Sequence, residues 1–384
     1  ATWQTNNVTV NANGTEKIGG VGSVGATLNI EGQSVTFVYV DSTQGWLNTM
    51  DSTSNVRAVS FFAATVSGAC NTLTTAPDCA NVKIAKFISP GTFCVTCLAT
   101  VTPQNTVGYM VVAGGAGGGS SQGSWGGGGG GAGGYREGRN VAVDNFTASP
   151  LIADSPVNAV TVGSTGPIAI TVGGGGAGGP VCGSGSSGVG AQGNNSVFSS
   201  ITGAGGGGGG PGHTPSNRPG CVAKGVPGGS GGGATGAYYA GACGPSSPGG
   251  TGNDPSTTPA QGTNGGLANA HVPATGYARE SGGGGGAGAS GGNNNGGPGG
   301  NGVPTQITGS AVYYAGGAGG GGVPPGSAGN GSPAGGGGGN GATPSVSSTT
   351  GTINTGGGGG GGADAPHSGS AGGSGIVYIR YKFQ

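Results

Sequence analysis

The sequence predicts a protein that is mostly irregular and β, with small β modules on its N-terminal side, a polyglycine-II helix bundle after them, and essentially no α-helix. Three observations lead to this fold class. Glycine provides 104 of 384 residues and charged residues only 6%, against about 7% and about 25% in ordinary domains. Residues 1–112 hold only 10 of the glycines, which predicts a boundary near Ala113. Short strand-like strips recur between the glycine blocks beyond it.

Residues 1–57 are predicted to form a β module that the chain enters part-way through. Apolar and polar residues alternate, most clearly in Ser34–Val40, and this period of two is typical of strands. Asn13-Gly14 and Gln44-Gly45 are typical turn signals. Trp3 and Trp46 are predicted to cap a small core.

Residues 58–112 are predicted to form a second β module, which contains cysteines. Its apolar runs are Val59–Phe62, Val82–Ile88 and Val107–Ala113. Cys70 and Cys79 bracket a turn-like segment, and both a local disulfide and a pair of free buried thiols are compatible with that spacing. Cys94 and Cys97 form a C-x-x-C motif, but a zinc site would need a second matching pair.

Residues 113–384 have a composition that by itself predicts a disordered linker. Three features favour order: the glycine blocks are similar in length, segments rich in Pro, Asn, Ser, His and Tyr separate them, and β-like strips recur. A linker has no use for such strips, which aggregate when exposed. The blocks are 126–131, 205–210, 282–286, 335–339 and 356–362, and the strips are Tyr109–Val112, Ile168–Val172, Ser196–Phe198, Ala311–Tyr314 and Ile376–Ile379.

A bundle of polyglycine-II helices is the ordered state that suits such blocks. This helix has about three residues per turn and no internal hydrogen bonds, so helices packed side by side satisfy one another's backbone groups. A helix that is surrounded has no room for side chains and therefore needs glycine. The G-X-Y repeat of collagen is absent. We expect the strips at one end of the bundle, with Tyr135 and Phe198 packed beside them.

Residues 108–384 also carry an ordered set of motifs. They are GYMVVAGGAGGG (108–119), GGAGGYREG (130–138), ITVGGGGAGG (170–179), NNSVFSSITGAGGGGGG (194–210), ITGSAVYYAGGAGGGG (307–322), TINTGGGGGGG (352–362) and GGSGIVYIRY (372–381). The set, with YREG early and IVYIRY last, resembles the glycine-rich domain at the tips of phage tail fibres, of the type found in T-even-like adhesins. The opening stretch, TNNVTVNANG through VTFVYVDSTQGW, resembles a tail-fibre β module.

The resemblance implies a polyglycine-II bundle that binds a host cell-surface receptor, either a protein or a glycan. It implies an extracellular location on the virion, at the tail fibre tip, with other tail-fibre or virion proteins as partners. In the related adhesins, loops at the outer end of the bundle set the host range. Residues 139–169 and 236–280 are longer than the family pattern, which leaves the position of their loops open.

Chain direction predicts which turns lie at the outer end. The strand Val107–Ala113 enters from the β base, so the next segment runs outward and the turn Ser120–Trp125 is distal. By the same alternation the further distal turns are Pro180–Gln192, Pro211–Pro227, Ser290–Pro298, Val323–Pro333 and Ala363–Ala371. These turns supply the candidate receptor-binding residues Trp125, Gln122, His213, Arg218, Lys224, Asn294, Pro324, Pro325, Asp364 and His367. A disulfide between Cys182 and Cys221 is compatible with neighbouring distal turns.

No catalytic site, metal site or cofactor is predicted. Matches to G-x-G-x-x-G arise by chance in a chain with 104 glycines, and no βαβ unit supports them. Ser230 lies in a G-x-S-x-G match without the strand–turn–helix context of a nucleophile. His213, His271 and His367 lie far apart in sequence, so exposed loop positions are expected rather than a joint metal site.

The charge and hydropathy of the chain limit the classes of partner that it is expected to bind. The formal net charge is zero, so no electrostatic attraction to nucleic acid is expected. The sequence contains no run of about 18 apolar residues, so membrane insertion is not predicted. Besides an adhesin, a structural extracellular filament or matrix protein and an ice-binding protein are compatible with the bundle. A filament would carry self-complementary faces at both ends, and ice binding a flat, regular row of Thr or Ala. The irregular loops favour the adhesin.

Overall fold

The structure is a computed structural model and describes residues 5–22, 25–30, 34–51, 60–121, 125–141, 144–153, 159–182, 186–212, 224–236, 246–269, 280–324, 327–364 and 367–383. The chain divides into two compact units. The first contains Ala1–Ser60 and Ala99–Val101, and the second contains Phe61–Leu98 and Thr102–Gln384. The division between the units therefore falls near Ser60, close to the predicted end of the first β module at residue 57.

The first unit is built of short strands, as the alternating sequence predicts. They are β1 (Val8–Val10), β2 (Lys17–Ile18), β3 (Val21–Gly22), β4 (Ala26–Leu28), β5 (Val35–Asp41) and β6 (Gly45–Asp51). β1 pairs with β4, and the others form a sheet in the order β3-β2-β6-β5. Both predicted turns form, with Gly14 and Gly45 at φ of +56° and +70°, where glycine has no steric penalty.

The second unit joins strands to long irregular segments. Its strands are β7 (Ala63–Ser67), β8 (Thr72–Ala76), β9 (Cys79–Phe87), β10 (Gly91–Cys97), β11 (Thr106–Val112), β12 (Tyr135–Gly138), β13 (Val160–Thr161), β14 (Gly166–Thr171), β15 (Val181–Cys182), β16 (Ser186–Ser187), β17 (Ser196–Phe198), β18 (Ile201–Gly203), β19 (Ser246–Ser247), β20 (Ala268–Asn269), β21 (Val303–Thr305), β22 (Val312–Tyr314) and β23 (Ile376–Lys382). The predicted β and irregular class is confirmed.

Helix is nearly absent from the part of the chain that the structure describes. It consists there of one 3-10 turn, Thr102–Asn105, which confirms the prediction of essentially no α-helix. The described residues contain no helix with the length and apolar character needed to cross a membrane.

Two sheets form what we call the inner end of the second unit. One has the order β12-β11-β23-β9-β8, and the other the order β18-β17-β14-β10-β7. The C-terminal strand β23 lies between β11 and β9, so that Val377 is opposite both Val111 and Phe87. Residues 61–98 are therefore not a separate second module, because their strand β9 pairs directly with the last strand of the chain.

Buried aromatic side chains join the two sheets. Tyr381 of β23 packs edge-on against Phe62 and Phe93, with ring centroids 5.0 and 5.7 Å away. Tyr109 of β11 meets Phe198 of β17 at 6.3 Å. Each such ring removes about 150–250 Å² from water. The inner end thus holds the large apolar core that the glycine segments lack.

Beyond β11 the backbone hydrogen bonds follow a three-residue repeat. Every third N–H group of residues 114–121 donates to the same neighbouring segment. Residues 114, 117 and 120 donate to Asn194, Ala191 and Gly188, residues 115, 118 and 121 to Gly373, Ser370 and His367, and residues 116 and 119 to Gly131 and Gly128, with N···O distances of 2.9–3.0 Å. A β-strand alternates between two directions, whereas this segment donates in three.

Close packing explains why these segments need glycine. A Cβ atom at Gly115 would overlap the carbonyl oxygen of Gly357, and one at Gly118 would overlap that of Gly360. Gly174 differs, because a Cβ atom there would meet only the Asn194 side chain, at 3.7 Å. Side chains are therefore excluded only where a segment is enclosed by its neighbours.

Donor and acceptor order gives the direction of each segment. Successive donors along residues 114–120 bond to acceptors that lie progressively earlier in residues 188–194, so these two segments are antiparallel. Gly206 and Gly209 donate to residues 114 and 117, so their segment is parallel to residues 114–120. Segments thus run alternately away from the inner end and back. Residues that finish outward segments define the outer end of the second unit: Ser121, Gly212, Thr235, Val323, Ala342 and Ala363.

Candidate functional site

Three residues predicted to bind a receptor lie side by side at the outer end. The Asp364 N–H donates to the Trp125 carbonyl at 3.1 Å, and the His367 N–H donates to the Asp364 carbonyl at 3.2 Å. The Ser121 N–H donates to the His367 carbonyl at 3.0 Å, and the Ser121 hydroxyl donates to the Trp125 carbonyl. We call Ser121, Trp125, Asp364 and His367 the outer-end patch.

A small apolar cluster supports the outer-end patch. It consists of Val323, Ala342 and Ala363, all buried. Ala363 precedes Asp364 and forms a β-bridge with Gly126, the residue after Trp125. The backbone of the patch is therefore fixed on both sides by enclosed segments, while the side chains of Trp125, Asp364 and His367 stay half-buried.

The outer-end patch offers chemistry for recognition. It combines an indole ring, a carboxylate and an imidazole, which supply apolar contact area, an acceptor and a group that can donate or accept. Among the described residues no group of three or more His, Cys, Asp and Glu is placed to hold a metal ion.

The remaining predicted residues are not part of the outer-end patch. Pro324 is exposed and follows Val323 of the apolar cluster, so it lies beside the outer-end patch. Lys224 is exposed at the start of a segment that runs inward, since Val226 and Gly229 donate to Gly208 and Gly205. Gln122, His213, Arg218 and Pro325 lie outside the described residues.

Asn294 shapes a turn of its own, which follows the outward segment 289–292. Its φ of 55° is left-handed, its N–H donates to the Leu267 carbonyl at 3.0 Å, and its Oδ1 accepts from the Asn269 N–H at 2.9 Å. Asparagine tolerates this backbone conformation better than most residues. Asn294 thus has a structural role that the sequence reasoning did not foresee.

A buried charged cluster at the inner end was also not foreseen. Arg380 of β23 is 1% exposed. Its Nε donates to Asp144 at 2.6 Å, and Nη1 and Nη2 donate to the two Asp78 oxygens at 3.0 and 2.8 Å. Its guanidinium also lies 5.0 Å from the Phe146 ring centroid. The signal in the sequence was a lone arginine inside the apolar run IVYIRY, since charges in buried strands need partners.

Glu137 of the YREG motif is the second buried charge at the inner end. It is 1% exposed, and its two oxygens accept hydrogen bonds from the Ser149 N–H and the Thr305 hydroxyl. Burial raises the pKa of the Glu137 carboxyl, and the bonds from Ser149 and Thr305 partly offset this effect. Glu137 and Arg380 thus tie residues 144–149 and 305–307 to the sheets.

The cysteines do not form the local disulfide considered from the sequence. Cys70 and Cys79 are both free thiols. Cys70 precedes β8, while Cys79 pairs with Ala76 at the far end of that strand. At about 3.3 Å per residue, they are more than about 15 Å apart, and a disulfide needs Cα atoms within about 7 Å. Cys182 lies in β15, and Cys221 lies outside the described residues.

Comparison with known proteins identifies the family of the chain. No curated protein matches the sequence at a significant level. The family model described as a glycine-rich domain matches residues 88–382. The match begins within the strands of the inner end and finishes in β23, so it covers the glycine segments together with the sheets that anchor them. The chain belongs to this family of glycine-rich domains.

Proposed function

We propose that the protein is the receptor-binding tip of a phage tail fibre and binds a host cell-surface receptor through its outer end, without catalysis. The observation that carries the proposal is the outer-end patch. Trp125 and the pair Asp364 and His367 are more than 230 residues apart in sequence, yet backbone hydrogen bonds hold them side by side. Exposed aromatic residues on a rigid support are frequent anchors of binding surfaces.

We infer that the glycine segments are polyglycine-II helices. The three-residue repeat of their hydrogen bonds supports this inference, because that helix has about three residues per turn and directs successive N–H groups to different neighbours. The repeat holds in antiparallel pairs, such as residues 114–120 with 188–194, and in parallel pairs, such as 206–212 with 114–120. A β-sheet would give a repeat of two.

Polyglycine-II packing favours recognition by the turns. N–H and C=O groups of enclosed segments bond one another, so these segments present no side chain and few unused backbone groups to a partner. Specificity must then come from side chains, which the outer end concentrates. The proposal places the chain outside the cell, on the virion, joined to other fibre proteins, with a host protein or glycan as receptor. It involves neither nucleic acid nor membrane insertion.

A cell-binding assay tests the proposal. Fluorescently labelled full-length chain is applied to a panel of bacterial strains, and bound fluorescence is measured by flow cytometry. We expect saturable binding to a subset of strains, which Trp125→Ala weakens about 30-fold, the effect of a binding hot spot of about 2 kcal/mol.

Tyr313→Ala is the matched control. Tyr313 is also an aromatic residue with substantial exposure, 40%, but it lies in β22, from which the chain runs outward. Its loss is expected to leave binding unchanged. Equal loss of binding in both variants, or no loss in Trp125→Ala, would contradict the proposal. Self-assembly into filaments without cell binding would favour a structural role instead.

A further inference from the structure

A pocket in the first unit has an apolar floor and a polar rim. We call its half-buried apolar residues Phe37, Trp46 and Ile18 the floor and its exposed polar residues Asn11, Asn13 and Glu16 the rim. Together they line a volume of about 320 Å³. Small-molecule sites have volumes of about 300–1,000 Å³. The size therefore suits one small ligand or one residue of a longer chain.

Hydrogen bonds and packing fix Trp46 of the floor and Glu16 of the rim. The Trp46 carbonyl accepts from the Gly19 N–H at 3.0 Å, and Trp46 pairs with Ile18 between β6 and β2. The indole Nε1 of Trp46 donates to Glu16 Oε2 at 2.9 Å, while Tyr39 packs edge-on against the indole at 5.5 Å. A site whose ring and carboxylate are already fixed loses less entropy on binding.

The polar groups indicate the class of ligand. The rim offers one carboxylate, which accepts hydrogen bonds, and two side-chain amides, which both donate and accept them. Among the residues that the structure describes, no lysine or arginine lines the pocket, and the nearby Lys17 ammonium donates to the Thr43 carbonyl at 3.3 Å. An anionic ligand is therefore disfavoured. A ligand with one apolar face and several hydroxyl groups at its edge would match both sides of the pocket.

We propose that this pocket binds a neutral saccharide. The apolar face of the sugar ring lies on Trp46 and Phe37, and its hydroxyl groups donate to Glu16 and exchange hydrogen bonds with Asn11 and Asn13. A cationic ammonium ligand would also suit an aromatic ring beside a carboxylate, but it would leave both amides without a role. No residue of the pocket belongs to the outer-end patch, so this site does not depend on the proposed receptor-binding function.

Ligand-observed saturation-transfer NMR on the full-length chain tests the proposal. The probes are neutral hexoses and N-acetylhexosamines, each added alone, with choline as the cationic probe. We expect transfer to at least one saccharide with a Kd on the order of 1 mM. Trp46→Ala should weaken binding about tenfold or more, and Tyr313→Ala, at an exposed aromatic residue of the second unit, should leave it unchanged.

Glu16→Gln is the second variant, because it preserves side-chain volume and an oxygen that can still accept from the Trp46 indole. We expect it to weaken saccharide binding by about threefold while the unit stays folded by circular dichroism. Transfer to choline without transfer to a saccharide overturns the proposal. So does the absence of transfer to every probe, or saccharide binding that both pocket variants leave intact.

Discussion

The strands of the inner end and the glycine segments that leave them are equally buried but are stabilised in different ways. In β23, Ile376–Tyr381 are all buried and fill the core with large side chains. Residues 113–121 are also all buried, yet they are only glycine, alanine and serine. Strands gain stability chiefly from side-chain packing, whereas these segments rely on backbone hydrogen bonds in three directions and on the absence of side chains. Variants of each region should therefore fail for different reasons.

The largest loss of stability is expected from Arg380→Ala at the inner end. Removing the guanidinium leaves Asp144, which is 5% exposed, without its charged partner. Breaking a buried ion pair from one side costs about 3–5 kcal/mol. Denaturant unfolding should show a decrease in the free energy of unfolding of that size, or failure to fold.

Lys382→Ala is the control for this variant. Lys382 follows in the same strand but is half-buried, and surface changes usually alter stability within about 0.5 kcal/mol. An Arg380→Ala protein as stable as the control would contradict a structural role for the buried charged cluster.

Neighbouring glycines provide the test for the glycine segments. A Cβ atom at Gly173 would overlap the Asn194 carbonyl, while one at Gly174 would meet only the Asn194 side chain at 3.7 Å. Gly173→Ala should destabilise by about 1–3 kcal/mol through overpacking. Gly174→Ala should be neutral or stabilise by about 0.4–1 kcal/mol, because it restricts the unfolded chain.

Thermal and denaturant unfolding of the two alanine variants give the comparison directly. Equal stability of both would mean that crowding does not determine where glycine is needed. The comparison requires no information on function, so it tests the packing alone.

Glu137 makes stability depend on pH. Because burial raises the pKa of its carboxyl in the folded state, the folded protein binds more protons than the unfolded chain above the usual Glu pKa of about 4.3. Stability therefore falls as pH rises from there through the folded pKa. Each unit by which the pKa is raised corresponds to about 1.4 kcal/mol.

Glu137→Gln removes this titration. We expect the wild type to lose stability relative to Glu137→Gln as the pH of the unfolding experiment rises from about 4.3 to neutrality. A difference between wild type and Glu137→Gln that stays constant with pH would show that Glu137 does not titrate differently on folding.

The sequence predicted the glycine segments that are enclosed by neighbours better than the segments at the periphery of the bundle. Blocks such as 126–131 are glycine throughout because their neighbours surround them. Residues 349–352 contain no such block, yet they form a segment that runs inward. The Thr349 N–H donates to the Asn340 carbonyl at 2.9 Å, and the Thr352 N–H donates to the Gly337 carbonyl at 2.8 Å. Gly351 is buried there, while both threonines are exposed. A segment at the periphery of the bundle needs glycine only on the side that its neighbours enclose. A search for continuous glycine blocks therefore does not find such a segment.

The sequence did not predict the structural role of several asparagines, for a related reason. Oδ1 of Asn195, Asn264 and Asn340 accepts from the N–H groups of Gly205, Gly252 and Gly331 at 2.9, 2.9 and 2.7 Å. These side chains satisfy backbone groups of neighbouring segments, so asparagines that the sequence assigns to loops are part of the packing. Chain direction placed the turns that hold Trp125, Asp364 and His367 at one end, but it did not predict that these residues are adjacent, and the inner-end charges require partners that sequence spacing does not reveal.

A small loss of stability is expected from Trp125→Ala at the outer end. The indole is half-buried, and the Trp125 carbonyl accepts from the Asp364 N–H at 3.1 Å. Alanine retains that carbonyl, so the enclosed segments on either side should keep their register. We expect a decrease in the free energy of unfolding of about 1 kcal/mol or less, measured by denaturant unfolding. A loss as large as that of Arg380→Ala would mean that Trp125 is part of the core rather than a surface available for recognition.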